Sequence, residues 1–172
     1  MGKKAVFFDR DGVLNTDSGY LSRYEELEWM PGARELLGEL CRRGISVFVV
    51  TNQSGVARGY YTEDDVKKLH EAMNAEFRKY GGAVTEYFYC PHLVGAKIPA
   101  YDMDCDCRKP KPGLILRAME KYHLEREDCV LIGDSPRDIE AAEAAGIRGF
   151  LFQEGNLYDF FKKVVVPEIE SK

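Results

Sequence analysis

Short apolar runs alternate along this chain with longer stretches of helical period, and that alternation constrains the fold more than any other feature. The runs at 5–8, 45–50, 86–89, 129–132 and 150–152 are too brief for helices and bounded by glycine or charge. Between them the spacing predicts helices over about 33–41, 62–80, 112–123 and 136–146, and a helical tail over about 156–166. Leu36, Leu37 and Leu40 share one face of the first. Thr62, with Asp65 three residues on, reads as an N-cap, while Pro112 and Pro136 suit first-turn positions. Residues 15–31 and 90–110 read as loops. Strand then helix, five times over, implies an α/β fold: a single Rossmann-like parallel sheet with helices on both faces. No repeat, low-complexity segment or linker divides the 172 residues, so a single domain over 1–172 is expected.

The apolar runs end in polar groups. The first gives way to Asp9-Arg10-Asp11-Gly12, the second to Thr51-Asn52, and the fourth to Gly133-Asp134, with Asp138 close behind. In an open parallel sheet these positions share one rim, the rim where ligands bind. Arg108-Lys109 precedes a helix instead. Two carboxylates as close as Asp9 and Asp11 repel, so they call for a cation, a shared proton or a reaction. An EF-hand loop also opens Asp-x-Asp, but it needs glycine where this chain has Leu14.

Together the residue types suit phosphoryl transfer. One carboxylate can attack phosphorus and hold a transient acyl phosphate. A second can protonate the leaving oxygen and then activate water. Mg²⁺ takes oxygen ligands and few protein carboxylates, which Asp9 and Asp134 offer. The Thr51 hydroxyl and Lys109 ammonium would bind the charge spread over the phosphoryl oxygens.

Composition narrows the partners. A formal charge of −5 argues against general nucleic-acid binding. No apolar run reaches the length of a membrane span, and the four apolar residues after Met1-Gly2-Lys3-Lys4 are too few for a signal peptide, so no membrane partner and a cytoplasmic address are expected. Of five cysteines, Cys41 and Cys129 sit in apolar-periodic surroundings and read as core. The rest fall in Cys90-Pro91-His92 and Cys105-Asp106-Cys107, three thiols and an imidazole suited to a closed, structural Zn²⁺ site. The alternative is reduced, unpaired thiols in a loop. A metal would hold the loop of about 90–107 in shape and, through Cys107, fix where Arg108 and Lys109 point. His70 and His123 lack partners at ligand spacing and are expected at the surface.

In order, Asp9-x-Asp11-Gly12, Thr51, Lys109 and Gly133-Asp134 with Asp138 resemble the four motifs of the haloacid dehalogenase superfamily of aspartate-nucleophile phosphatases. Val13 departs from the usual threonine. The resemblance implies Asp9 as nucleophile, Asp11 as general acid/base, and Mg²⁺ held by Asp9, the Asp11 backbone carbonyl and Asp134. The segments 9–51 and 51–109 leave no room for the cap domain that many members carry, so substrate choice falls to short loops.

Gly19-Tyr20, the run Thr51 to Gly59, the cysteine loop and Arg108-Lys109-Pro110 narrow the likeness further. Over essentially its whole length the chain is similar to the D-glycero-D-manno-heptose 1,7-bisphosphate phosphatases, and to the histidinol-phosphatase domain beside them. This implies a small-molecule sugar bisphosphate that loses its C7 phosphate, and a monomeric enzyme. It implies substrate contacts from Asn52, Gln53, Ser54, Arg58 and Arg108, with Arg108 on the distal phosphate and Lys111 in the same basic cluster. Histidinol phosphate, or another small phosphomonoester, is the alternative substrate. The non-enzymatic alternatives are a zinc-organised interaction module and a receiver domain. A receiver also uses an aspartate, a Thr/Ser and a lysine, but its phosphorylated aspartate follows the third strand, which here ends in Tyr89-Cys90.

Overall fold

The computed structural model describes residues 3–170. Five strands, β1 (Ala5–Phe8), β2 (Ser46–Asn52), β3 (Glu86–Cys90), β4 (Cys129–Gly133) and β5 (Arg148–Leu151), form one parallel sheet in the order β3-β2-β1-β4-β5. β1 is central, with Phe8 in register with Val49 on one side and Ile132 on the other. Side chains alternate across the sheet, so β1 and β2 are apolar on both faces.

Val6, Phe8, Val47 and Val49 face one layer, made by α1 (Ala33–Arg42), α2 (Glu63–Lys79) and the C-terminal helical tail. Ala5, Phe7, Phe48 and Val50 face the other, made by α3 (Gly113–Lys121) and α4 (Pro136–Ala145). The tail runs through α5 (Leu157–Phe160), a π-helical stretch (Phe161–Val165) and α6 (Val166–Glu170). Phe7 and Phe8 are fully buried, each contributing roughly 1.5–3 kcal/mol. A one-residue slip would turn both to the wrong layer, so their packing fixes where the chain after Phe8 emerges.

The cap read from the sequence forms, Thr62 and Asp65 making a reciprocal capping box at α2, and a second box, not expected from the sequence, joins Ser135 and Asp138 at α4. β5 differs from the expected run at 150–152: it pairs from Arg148, and Phe152 has left the strand for the core. As an edge strand it needs no continuous apolar run, so hydropathy misplaces its bounds. Only a 3₁₀ turn at Tyr24–Glu26 and α1 lie between β1 and β2, and only α2 between β2 and β3, so neither interval holds a cap domain. Among the described residues, no helix is long and apolar enough to cross a membrane.

Candidate active site

The sheet order reverses at β1, whose neighbours β2 and β4 lead off in opposite directions, and the crevice beyond their carboxyl ends is where such folds bind ligands. A cavity of about 400 Å³ opens there. It is lined by Asp9 and Asp11 just after β1, by Thr51 to Ser54 at the end of β2, by Asp134 just after β4, by Asp138 in the first turn of α4, and by Arg58, Arg108 and Lys109 from loops. A larger groove of about 980 Å³ lies at the opposite ends of the strands, around Ile45, Cys129 and Arg148, remote from the carboxylates.

Asp9 stands at the centre. Its Oδ1 accepts from the Arg10 backbone N–H at 2.8 Å and pairs with Lys109 Nζ at 3.0 Å. Lys109 is buried and also meets Asp138 Oδ1 at 2.5 Å and the Val50 carbonyl at 2.9 Å. Asp138 receives the backbone N–H groups of Asp134 and Ser135 on its other oxygen, so it caps α4 and anchors the lysine at once. Asn52 fastens the loop that carries the lysine, exchanging bonds with both backbone groups of Lys109. Burial, the charges of Asp138 and Asp134 adding and Lys109 opposing, pushes the Asp9 carboxyl up to about 8. Burial, with Asp138, likewise raises Asp134. Carboxylates crowded this closely favour a divalent cation beside them.

Carboxylate oxygens of Asp9, Asp134 and Asp138 lie within 4.8 Å of one another. Asp138 is engaged by Lys109 and two backbone donors, which leaves Asp9 and Asp134 as the available oxygen ligands. The hard-oxygen donor set suits Mg²⁺. Gly12 makes room for the Asp134 carboxylate: a Cβ there would stand 1.9 Å from Asp134 Oδ2, and its φ of +91° disfavours any side chain.

Asp11 sits in a different setting. Arg10 Nε and Nη2 donate to its two oxygens at 3.0 Å each, Asn15 Nδ2 adds a bond at 3.0 Å, and Gln53 Nε2 another at 3.2 Å. Burial pushes Asp11 up, but the Arg10 charge and the bonds from Arg10, Asn15 and Gln53 outweigh it, so the carboxyl titrates below its ordinary range. Asp9 and Asp11 are thus shifted in opposite directions, and a divalent cation beside Asp9 would lower it again.

Several residues are placed otherwise than expected. His70 is buried, not at the surface: it stacks on Tyr87 at 4.2 Å and lies 3.2 Å from Arg10 Nη1. Its helix face is one turn from Leu69 and Met73 in the core, and burial, with Arg10, holds it well below the usual histidine range. His123 is exposed as expected. Gln53 is spent on protein partners, donating to Asp11 and Thr51 and accepting from Tyr61. Lys111 leaves the basic cluster to pair with Asp104 and the Cys105 carbonyl. Ser54 and Arg58 line the cavity, Arg58 lying 5.5 Å over the Tyr20 ring. The residue that sequence reasoning missed is Arg10, fully buried beneath the carboxylates; a charge between two aspartates at a buried strand end is the only local hint.

Arg108 also faces the cavity, and its Nη1 is buried with no hydrogen-bond partner. Just before it, Cys90, His92, Cys105 and Cys107 converge. Their sulfur and Nδ1 atoms all lie within 4.8 Å of one another, and four of the six pairs are 3.4 to 3.6 Å apart, close to the roughly 3.5–3.8 Å edges of a zinc tetrahedron with bonds of about 2.0–2.3 Å. Hydrogen bonding within the cluster, from Cys90 first, holds the Cys107 thiol down at about 5, the form that ligates a metal. Cys129 is core, and Cys41 is half-buried against the Ala83 carbonyl.

Residues 15–146 match a family model described as haloacid dehalogenase-like hydrolase. The D-glycero-beta-D-manno-heptose-1,7-bisphosphate 7-phosphatase of Rhodopseudomonas palustris is 44% identical over 98% of this chain and 93% of its own length. The D-glycero-alpha-D-manno-heptose-1,7-bisphosphate 7-phosphatase of Campylobacter jejuni is 38% identical over 95% of this chain and 91% of its own. Among solved structures, the D,D-heptose 1,7-bisphosphate phosphatase of B. bronchiseptica, complexed with magnesium and phosphate, superposes with a TM-score of 0.80. It is 33% identical and covers 96% of this chain and 89% of that one.

Proposed function

The chain belongs to the haloacid dehalogenase-like hydrolases and is a phosphatase, and we propose that it removes the C7 phosphate of D-glycero-D-manno-heptose 1,7-bisphosphate through an aspartyl phosphate on Asp9. The observation that carries the substrate reading is Arg108, which lines the same cavity as Asp9 and Lys109 and whose guanidinium Nη1 is buried without a hydrogen-bond partner. A second phosphate is the ligand that such a fork suits. The Asp134 and Asp9 carboxylates and the Asp11 backbone carbonyl would hold Mg²⁺, whose charge keeps Asp9 ionised and neutralises phosphoryl oxygens.

Asp9 attacks phosphorus as the C7–oxygen leaving group departs opposite, with Thr51 and Lys109 binding the equatorial oxygens. The negative charge of the entering phosphoryl group raises Asp11, favouring its protonated form beside the leaving oxygen. Having given up that proton, Asp11 is the carboxylate that its Arg10 pair favours, ready to take a proton from the water that hydrolyses the aspartyl phosphate. Asn52 holds Lys109 in place, while Ser54, Arg58 and Arg108 contact the rest of the substrate. Cys90, His92, Cys105 and Cys107 would hold a structural Zn²⁺, which would stiffen the loop before Arg108. The chain works as one domain and as a cytoplasmic monomer on a small molecule; the reduced thiols of the cluster suit a reducing compartment.

The experiment is a comparison of kcat/KM for both anomers of the bisphosphate and for histidinol phosphate, with ³¹P NMR of the product. A heptose 1-phosphate product is expected, with Arg108→Ala losing about 10- to 100-fold on the bisphosphate, the worth of a bond to a charged group, and little on a small monophosphate. Release of the C1 phosphate, or faster turnover of histidinol phosphate, would overturn the substrate assignment.

A further inference from the structure

We propose that His70 is a positioning residue for catalysis, acting through Arg10 to hold the Asp11 carboxyl in the orientation that delivers its proton. The inference rests on the phosphatase reading above and adds a residue outside the cavity to it. Arginine only donates, so at 3.2 Å the contact between Arg10 Nη1 and His70 Nε2 makes Nε2 the acceptor and puts the ring proton on Nδ1. The ring cannot swing away, because it stacks on Tyr87 at 4.2 Å with planes 12° apart and is buried. Arg10 is held at a second point by the Leu21 carbonyl, 3.2 Å from Nη2. With Nη1 on the histidine and Nη2 on that carbonyl, the fork can face Asp11 in one way, through Nε and Nη2.

The consequence lies in the number of donors. Each Asp11 oxygen receives two N–H groups: Oδ1 from Arg10 and Asn15, Oδ2 from Arg10 and Gln53. Rotation of the carboxyl is thereby blocked, and the Gln53 bond, at 3.2 Å the longest of the four, is the one that yields to a substrate oxygen. At that moment the bond from Asp9 oxygen to phosphorus forms, the bond from phosphorus to the leaving oxygen breaks, and the Asp11 proton passes to that oxygen. A carboxyl free to rotate would lose part of the roughly 10²- to 10⁴-fold that positioned proton transfer supplies.

The test exploits the leaving group. Proton delivery matters for an alkoxide and hardly at all for p-nitrophenolate, whereas a loosened fold harms both. Using purified full chain with Mg²⁺, kcat/KM is measured on the heptose bisphosphate and on p-nitrophenyl phosphate for the parent, His70→Phe and His70→Gln. His70→Phe keeps the stack on Tyr87 and removes the acceptor; the glutamine carbonyl can stand in for Nε2. A 10- to 100-fold loss on the bisphosphate is expected for His70→Phe, with a loss under about 3-fold on p-nitrophenyl phosphate and substantial rescue by His70→Gln. Should His70→Phe not fold, His70→Leu, which also removes the acceptor, carries the same expectation. Equal losses on both esters, no loss on the bisphosphate, or no rescue by glutamine would overturn the positioning role and leave the phosphatase reading standing. A parent that hydrolyses neither ester would bring down the phosphatase reading, and this inference with it.

Discussion

Gly12→Ala adds one methyl group, removes no functional group, and is expected to disable the metal site. The new Cβ would stand 1.9 Å from Asp134 Oδ2 and 2.6 Å from its Cγ. Ordinary contact needs about 3.4 Å, so Asp134 must retreat by roughly 1.5 Å. Its backbone cannot easily follow, because its own N–H is pinned to Asp138 at 3.1 Å. The φ of +91° adds backbone strain on the order of 1–3 kcal/mol for a residue with a side chain. At about 2–4 °C of melting temperature per kcal/mol, that strain lowers Tm by several degrees and leaves the protein folded at 25 °C. Disturbing a ligand's orientation typically weakens metal binding 10- to 100-fold, and the Mg²⁺ concentration giving half-maximal activity should rise by that factor. The assay is a Mg²⁺ titration of p-nitrophenyl phosphate turnover beside thermal melts with and without the ion. Activity should recover at high Mg²⁺ in Gly12→Ala and stay lost in Asp134→Ala. A Gly12→Ala protein with the parent's Mg²⁺ dependence would refute the placement of Asp134 in the metal site.

Asp9→Asn should abolish turnover, since an amide forms no aspartyl phosphate, while metal-free it should melt higher than the parent near pH 8. The sign follows from linkage: a buried acid raised from 3.8 to about 8 keeps its proton in the folded state, so metal-free stability falls as pH rises between those values, and asparagine removes that fall. Melting curves from pH 4 to pH 8 check it, and a difference between the two proteins that does not grow with pH would contradict it. Lys109→Ala should cost about 3–5 kcal/mol, because it strands Asp138 in the interior, and should cut kcat/KM on large and small esters alike. Elemental analysis should find about one zinc per chain, and Cys107→Ser should lower both zinc content and kcat/KM through the displaced Arg108 and Lys109. Zinc-free protein with full activity and unchanged melting would rule the site out.

Sequence alone determined the architecture's class and most of the site's cast. Period-two and helical-period patterns, glycine and proline punctuation, and capping pairs such as Thr62 and Asp65 act over a few residues, so they are legible in order along the chain. Asp9, Asp11, Thr51 and Asp134 were readable because strand ends of a parallel sheet share a rim, whatever the strand order. The tertiary structure alone decided which distant groups meet there. The order β3-β2-β1-β4-β5 sets Asp134 beside Asp9, and a 60-residue separation hides the contact between Arg10 and His70 from any local pattern. Likewise no local pattern announces that Gln53 bonds Asp11, Thr51 and Tyr61, or that Lys111 pairs with Asp104. The physical reason is common to all of these. A buried polar group must find a partner inside the protein, and the identity of that partner depends on packing between segments far apart in the chain.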